Sequence, residues 1–248
     1  GDMKSYDELF ALRGSAYDRA MRRYPQARAQ EFAQAVERAA LAPGQVVADV
    51  PAGGGYLQRY LPAGCVWLGH EPCASFTRHG TPDAPASQRP LLPLPWPEAS
   101  ADAAISLAGV HHLADKRPLF AELQRVLRPG GRLVLSDVAA ASPVARFLDD
   151  FVGAHNSTGH EGVFLGGSTL AELAETGWSV ASAEQVDFHW VFDSARDMAA
   201  FCTELFDLRH ASPQQTEDAI RAGLGVSDID SRRTGMNWSL MTIVAVRP

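Results

Sequence analysis

From residue 5 to residue 41, apolar side chains recur every three or four positions: Leu9, Leu12, Ala16, Ala20, Phe32, Ala35, Val36 and Ala39. That is the period of an amphipathic helix. Pro25 removes a backbone donor inside the stretch and splits it into two helices. Pro43-Gly44 then ends it. The pattern changes at Val46-Val47-Ala48-Asp49-Val50, a short apolar run without alternation. Such a run suits a strand covered on both faces, as in a parallel sheet. Residues 65–69, 102–107 and 132–137 read as further short strands. Helices are expected at 56–61 and at 119–127, where Leu119, Phe120, Leu123, Val126 and Leu127 form the apolar stripe. Pro129-Gly130-Gly131 makes a tight turn into the strand at 132–137. Strands alternating with helices imply parallel βαβ units with right-handed crossovers. The expected fold class is therefore α/β, a doubly wound open sheet with helices on both faces.

The rest of the chain follows a different rhythm. Six prolines fall between residues 80 and 100, which marks a surface connection holding at most one short edge strand. Residues 142–151, 169–175 and 194–208 read as helices. Residues 179–192 and 238–246 carry strand-like Val, Ile, Phe and Trp. Two late strands of this kind can close one sheet edge as an antiparallel pair.

Net charge is −7, and the densest basic stretch, residues 19–28, reads as the solvated face of a helix. A phosphate-backbone partner calls for a basic face, so nucleic acid is not an expected partner. No apolar run reaches the roughly 18 residues that span a bilayer, and no apolar leader opens the sequence. A membrane partner is not expected, and a cytoplasmic location is. Three cysteines without a C-x-x-C pair are expected to be reduced thiols rather than a disulfide framework or zinc site.

Chemistry concentrates first at Asp49-Val50-Pro51-Ala52-Gly53-Gly54-Gly55, between a strand and a helix. Glycines let the backbone turn tightly and approach a ligand. The helix N-terminus beyond them offers free N–H groups. Glu71 ends the next strand, 22 residues beyond Asp49, near the roughly 20 expected of an acid that accepts hydrogen bonds from a ribose. Two carboxylates and a glycine turn at one sheet edge fit an adenosine-bearing cofactor, and this much does not separate NAD from S-adenosylmethionine.

Residues 91–137 separate them. Leu92-Pro93-Leu94-Pro95 leads to Ser100-Ala101-Asp102-Ala103-Ala104-Ile105-Ser106. Val110-His111-His112-Leu113 follows, then Arg125-Val126-Leu127-Arg128-Pro129-Gly130-Gly131. In order and spacing these segments resemble the class I methyltransferases, and among them the type 11 small-molecule branch. The resemblance covers roughly residues 40–140. It implies a Rossmann-like seven-stranded, mostly parallel sheet with an antiparallel last strand, and S-adenosylmethionine as cofactor. It places Asp49 near the methionine amino group, and Ala52, Gly53 and Gly55 against the methionine and ribose. It places Glu71 on the ribose hydroxyls, Leu107 and Ala108 at the sulfonium end, and Tyr17 as a cover over the cofactor. Two positions depart from the family pattern. Pro51 replaces a glycine, so that site cannot need a positive φ. Gln88 stands where the family often has the acid that holds the adenine amine, and its oxygen can accept the same bond. The family's nucleic-acid branch often carries Asn-Pro-Pro-Tyr where Ser106-Leu107-Ala108-Gly109 stands here, which argues against methylation of a base amine.

The expected activity is methyl transfer to a small-molecule O, N or C acceptor. The protein then mainly positions the nucleophile, with a base where the acceptor must lose a proton. His111 is expected to face the pocket and His112 to be structural. In the polar segment 155–162, His160 beside Glu161 is a candidate oriented base. His155, His160 and Glu161 also offer metal ligands, although no resident metal is expected. Phe188, Trp190, Phe192, Phe201, Phe206 and Trp238 can wall an apolar acceptor pocket. The chain reads as one domain: a helical cap at 1–41, a cofactor-binding half at 42–137 and an acceptor-side half at 138–248. Two other readings stand beside this one. A catalytically silent S-adenosylmethionine-binding module would act through a protein partner. A nicotinamide-dependent dehydrogenase would leave the His-His-Leu and Arg-Val-Leu-Arg-Pro-Gly-Gly segments unexplained, and there is no Tyr-x-x-x-Lys pair.

Overall fold

The structure, a computed structural model, describes residues 6–77, 90–160 and 162–248. The N-terminal pattern becomes two helices, α1 (Tyr6–Arg23) and α2 (Ala29–Ala39), interrupted around Pro25. Then come β1 (Val46–Asp49), a five-residue 3₁₀ helix (Tyr56–Tyr60), β2 (Val66–Gly69) and the one-turn α3 (Ala74–Thr77). β3 (Ala101–Leu107), a 3₁₀ turn (Val110–His112), α4 (Arg117–Val126) and β4 (Leu127–Asp137) complete the parallel half. The Pro129-Gly130-Gly131 turn lies inside β4, where the register with β3 jumps from Leu127 to Arg132 and Gly130 takes a φ of 82°.

The last third is richer than its pattern predicts. The helix expected at 142–151 is α5 (Pro143–Phe147), a π turn (Leu148–Val152) and α6 (Gly153–His155) end to end, with the Ser142 side chain accepting from the Ala145 N–H at 3.1 Å. After it come α7 (Gly167–Glu175), β5 (Ser179–Phe192), α8 (Ala195–Leu205), α9 (Pro213–Gly223), β6 (Val226–Asp228) and β7 (Thr234–Val246). Residues 90–100 hold no strand, and residues 78–89 lie outside the described part of the chain. The seventh strand is instead β6.

Strand order is β2-β1-β3-β4-β7-β5, with β6 also paired to β7. The β2-β1, β1-β3 and β3-β4 pairs are parallel, and every pairing made by β7 is antiparallel. The seven-stranded sheet with a reversed last strand is thus the one expected. On one face α4 and α7 bury Leu119, Phe120, Leu123, Val126 and Leu173 against Leu133, Leu135 and Ile243. On the other, α2 and α8 bury Phe32, Ala35, Phe201 and Cys202 against Val134, Trp190 and Val244. Each fully buried Leu or Phe contributes about 1.5–3 kcal/mol of transfer free energy. One buried polar knot pins α2 to the sheet: Gln34 Nε2 donates to Ser136 Oγ at 2.8 Å and its Oε1 accepts from Thr242 Oγ1 at 3.0 Å. The carboxyl ends of β1, β3 and β4 therefore meet α1 and α2 at one rim, where ligands of open parallel sheets bind.

Candidate active site

β1 delivers Asp49 to that rim and the chain turns through Val50-Pro51-Ala52-Gly53-Gly54-Gly55. Gly53 and Gly55 take φ values of 55° and 81°, so the turn survives the proline. The element beyond is a five-residue 3₁₀ helix rather than the expected α-helix, so little helix dipole points into the site. Asp49 is buried, and its Oδ2 accepts from the Trp67 indole at 3.0 Å. Burial pushes its carboxyl up to about 7, the Trp67 bond opposes this, and Glu71 adds to it. Glu71 is fully buried beneath the turn. It accepts from Gly53 N at 2.8 Å, Cys73 N at 2.9 Å and the Tyr6 hydroxyl at 2.6 Å.

A cavity opens here, lined by Tyr17, Asp49, Ala52, Gly53, Leu107 and Ala108 among others. Against it lies a second cavity, and the two share Phe10, Tyr17, Arg28 and Ala108. Trp190 and Trp238, stacked at 4.1 Å, wall the second cavity together with Phe206. His111, His112 and His160 also line it.

The end of β4 organises those histidines. Asp137 Oδ2 accepts from Val110 N at 2.9 Å and His111 N at 3.0 Å, while Oδ1 accepts from Val138 N at 2.7 Å and faces His111 Nδ1 at 2.7 Å. Burial alone would raise this carboxyl, but the His111 side chain and the backbone N–H groups of Val138 and His111 hold it below the usual carboxylate range. An ionised Asp137 keeps the proton on His111 Nδ1 and leaves the Nε2 lone pair available. Burial pushes His112 well below the usual imidazole range, and neighbouring cations reinforce this. Burial, then the charges of His111 and Arg13, push His160 down to about 3. Both rings are therefore neutral near pH 7.

Residues 48–135 match the family model described as a methyltransferase domain. Over 96 residues the chain is 35% identical to 27-O-demethylrifamycin SV methyltransferase of Amycolatopsis mediterranei, a match spanning 38% of this chain and 35% of that protein. Over 66 residues it is 40% identical to O-methyltransferase cnsE of Penicillium expansum, 24% of each chain. The chain thus spans about a third or less of the length of these curated relatives. Geranyl diphosphate methyltransferase solved in complex with S-adenosylmethionine shares the fold, with a TM-score of 0.55 and 17% identity over 90% of this chain and 85% of that one.

Residues 48–135 are similar to a methyltransferase domain.

The rim has groups that suit S-adenosylmethionine chemically: a carboxylate at Asp49 for an ammonium and a glycine turn beside it. Of the cofactor residues read from the sequence, Tyr17, Asp49, Ala52, Gly53, Leu107 and Ala108 line the first cavity. Gly55 faces a neighbouring depression beside Gly54 and Arg59. Glu71 lies behind the first cavity's lining, where the Tyr6 hydroxyl occupies it. Gln88, expected to hold the adenine amine, lies outside the described residues.

On the other side, His111 lines the second cavity as expected, but so does His112, which was read as structural. His160 lines it as well, oriented by Asp149 Oδ1 at 3.1 Å, and Glu161 lies outside the described residues. Among the aromatic candidates Trp190, Phe206 and Trp238 line the cavity, while Phe192 and Phe201 pack behind in the core. Phe188 lines a separate open groove. Among the described residues no group of His, Cys, Asp and Glu is disposed to hold a metal ion. Residues that sequence reasoning missed are Asp137, Arg13, Arg28 and Tyr6. Asp137 alone had a signal, an acid ending the strand next to the one that delivers the histidine pair.

The raised Asp49 carboxyl has a testable sign. Its native pKa of about 7 lies above that of the unfolded chain, so the native state holds an extra proton between pH ~4 and ~7, and apo stability falls as pH rises through that window. An ammonium group at Asp49 favours the ionised form. Calorimetric titration with S-adenosylmethionine is expected to show affinity rising as pH approaches about 7, by up to about tenfold per unit, with proton release. Asp49→Asn is expected to weaken binding and flatten that dependence. A wild-type affinity that stays flat from acidic to neutral pH would place the ammonium elsewhere.

Proposed function

We propose that the chain transfers a methyl group from S-adenosylmethionine to a small-molecule acceptor bound in the second cavity, with an oxygen nucleophile favoured. The supporting observation is the junction at Ala108. A cavity with cofactor-type polar groups meets an aromatic cavity that presents an Asp137-oriented histidine. Of the two curated relatives named above, one is an O-methyltransferase and the other is a 27-O-demethylrifamycin SV methyltransferase, which agrees with an acceptor whose hydroxyl loses a proton. Bound S-adenosylmethionine supplies an activated methyl group, so the chain's own residues need only bind, orient and deprotonate. His111 Nε2 takes the acceptor proton, Asp137 stabilises the resulting imidazolium, and Trp190, Trp238 and Phe206 hold an apolar acceptor body. On this reading β1 to β4 serve the cofactor, and α1 together with the elements after residue 138 shape the acceptor side.

The test is a panel of phenols, enols, carboxylic acids and amines incubated with methyl-labelled S-adenosylmethionine. Label is expected in a hydroxyl-bearing member of the panel, above the level without acceptor. Tight cofactor binding with no labelled product across the panel would instead favour the silent binding module.

A further inference from the structure

Arg13 lines the second cavity from α1 and is only 3% exposed. Its Nε and Nη1 groups have no hydrogen-bond partner. The guanidinium lies 5.6 Å over the Phe10 ring. Asp207 is near enough to be felt electrostatically, but its carboxylate is engaged by Arg209 at 3.1 Å and by the Ser157 hydroxyl. Arg28, the other arginine of this cavity, differs: Glu31 holds it at 2.6 and 3.0 Å and the Tyr17 hydroxyl accepts from it. Burial lowers Arg13 only to about 10, so it remains a cation near pH 7. The three histidines beside it cannot compensate, because they carry no negative charge in any state. A buried charge is normally paired, and this one lines a cavity with two of its donor groups unpartnered.

We propose that the acceptor carries a carboxylate on an aromatic or polycyclic body, with Arg13 receiving the carboxylate and Trp190, Phe206 and Trp238 receiving the body. A guanidinium is the planar complement of a carboxylate. The inference rests on the second cavity being the acceptor site, as proposed above, and it names the class of acceptor.

The probes are 2-naphthoate and 2-naphthamide, which share a ring system and differ in charge. Their binding to the full chain is read by quenching of tryptophan fluorescence, since two tryptophans wall the cavity. Naphthoate is expected to bind the wild type about tenfold tighter than naphthamide, the scale of a charge-assisted hydrogen bond. Arg13→Met is expected to abolish the difference, and Arg13→Lys to retain part of it. Thermal unfolding supplies a second reading. Arg13→Met is expected to be at least as stable as the wild type, because it removes an unpaired buried charge, whereas a purely structural arginine would lose stability. Equal affinity of the two probes for the wild type, no binding of naphthoate at millimolar concentration, or a preference that survives in Arg13→Met overturns the inference. Methyl transfer is scored separately. Turnover without carboxylate preference sinks the carboxylate inference alone, and carboxylate preference without turnover on any acceptor sinks the methyltransferase reading while leaving an anion site.

Discussion

Replacing His111 with alanine is expected to slow methyl transfer to a hydroxyl acceptor by about 10²–10⁴-fold, the usual contribution of a positioned general base. Asp137→Asn is expected to fall in the same range for a different reason. Asparagine keeps the shape and still accepts from the backbone, but it no longer fixes the proton on His111 Nδ1, 2.7 Å away. The ring can then turn a protonated nitrogen toward the acceptor, and an N–H cannot take up a proton. The two substitutions should be far from additive, because the residues act as a unit. Cofactor affinity should change little in either, since neither residue lines the first cavity. Single-turnover rates against pH decide the matter. In His111→Ala the rate should rise with pH as the acceptor ionises unaided. A loss smaller than tenfold at every pH would remove His111 from proton transfer and point to an acceptor without a proton to give up.

The largest expected effect on stability is at Glu31. Its Oε2 meets Arg28 Nη2 at 2.6 Å, its Oε1 meets Arg28 Nε at 3.0 Å, and the Trp190 indole donates to the same Oε1 at 2.7 Å. Both charged side chains are buried, at 4% and 0% exposure. Glu31→Ala leaves the guanidinium buried with its carboxylate gone, and breaking a buried pair from one side costs about 3–5 kcal/mol. A domain with a typical stability of about 5–15 kcal/mol would lose a large part of it. The double variant Arg28→Met/Glu31→Leu should recover much of the loss, because no uncompensated charge remains. Denaturant unfolding with cofactor absent measures both. A Glu31→Ala loss under about 1 kcal/mol would mean that water reaches the guanidinium and the pair is effectively a surface one.

The cofactor rim was legible because its information is local. The glycine turn, Asp49 and Glu71 sit at strand ends that hydrophobic patterning locates, and the parallel order of β1 to β4 brings those ends together. On the acceptor side Trp190, Phe206 and Trp238 were legible as aromatic candidates, but Phe10 and Arg13 on α1, which share that wall, and Asp137 on β4, which holds His111, were not. No spacing links such positions, and an arginine in an amphipathic helix reads as solvated until its burial is known. α9 was missed for a similar reason: only Thr216 and Ile220 are buried along it, so it has no apolar stripe. Its trace was the capping box, Ser212 with Gln215, each side chain bonded to the other's backbone N–H at 3.1 and 2.8 Å. His160 was read as oriented by Glu161, which lies outside the described residues; the described partner is Asp149, eleven residues upstream.

The position of β7 between β4 and β5 separates the order of synthesis from the order of assembly. Among the described residues β5 pairs in the sheet with β7 alone, so Phe188, Trp190 and Phe192 have no described strand beside them until residues 234–246 have been made. On the ribosome, β1 to β4 can pair as they emerge, while β5 and the aromatic wall it carries must wait for the last strand to slide in between. Closing such long-range contacts late slows folding and leaves apolar strand edges open to other chains in the meantime. Substitutions that weaken β7 should therefore show themselves first as poor recovery of soluble protein during expression, before any loss appears in the purified, folded molecule.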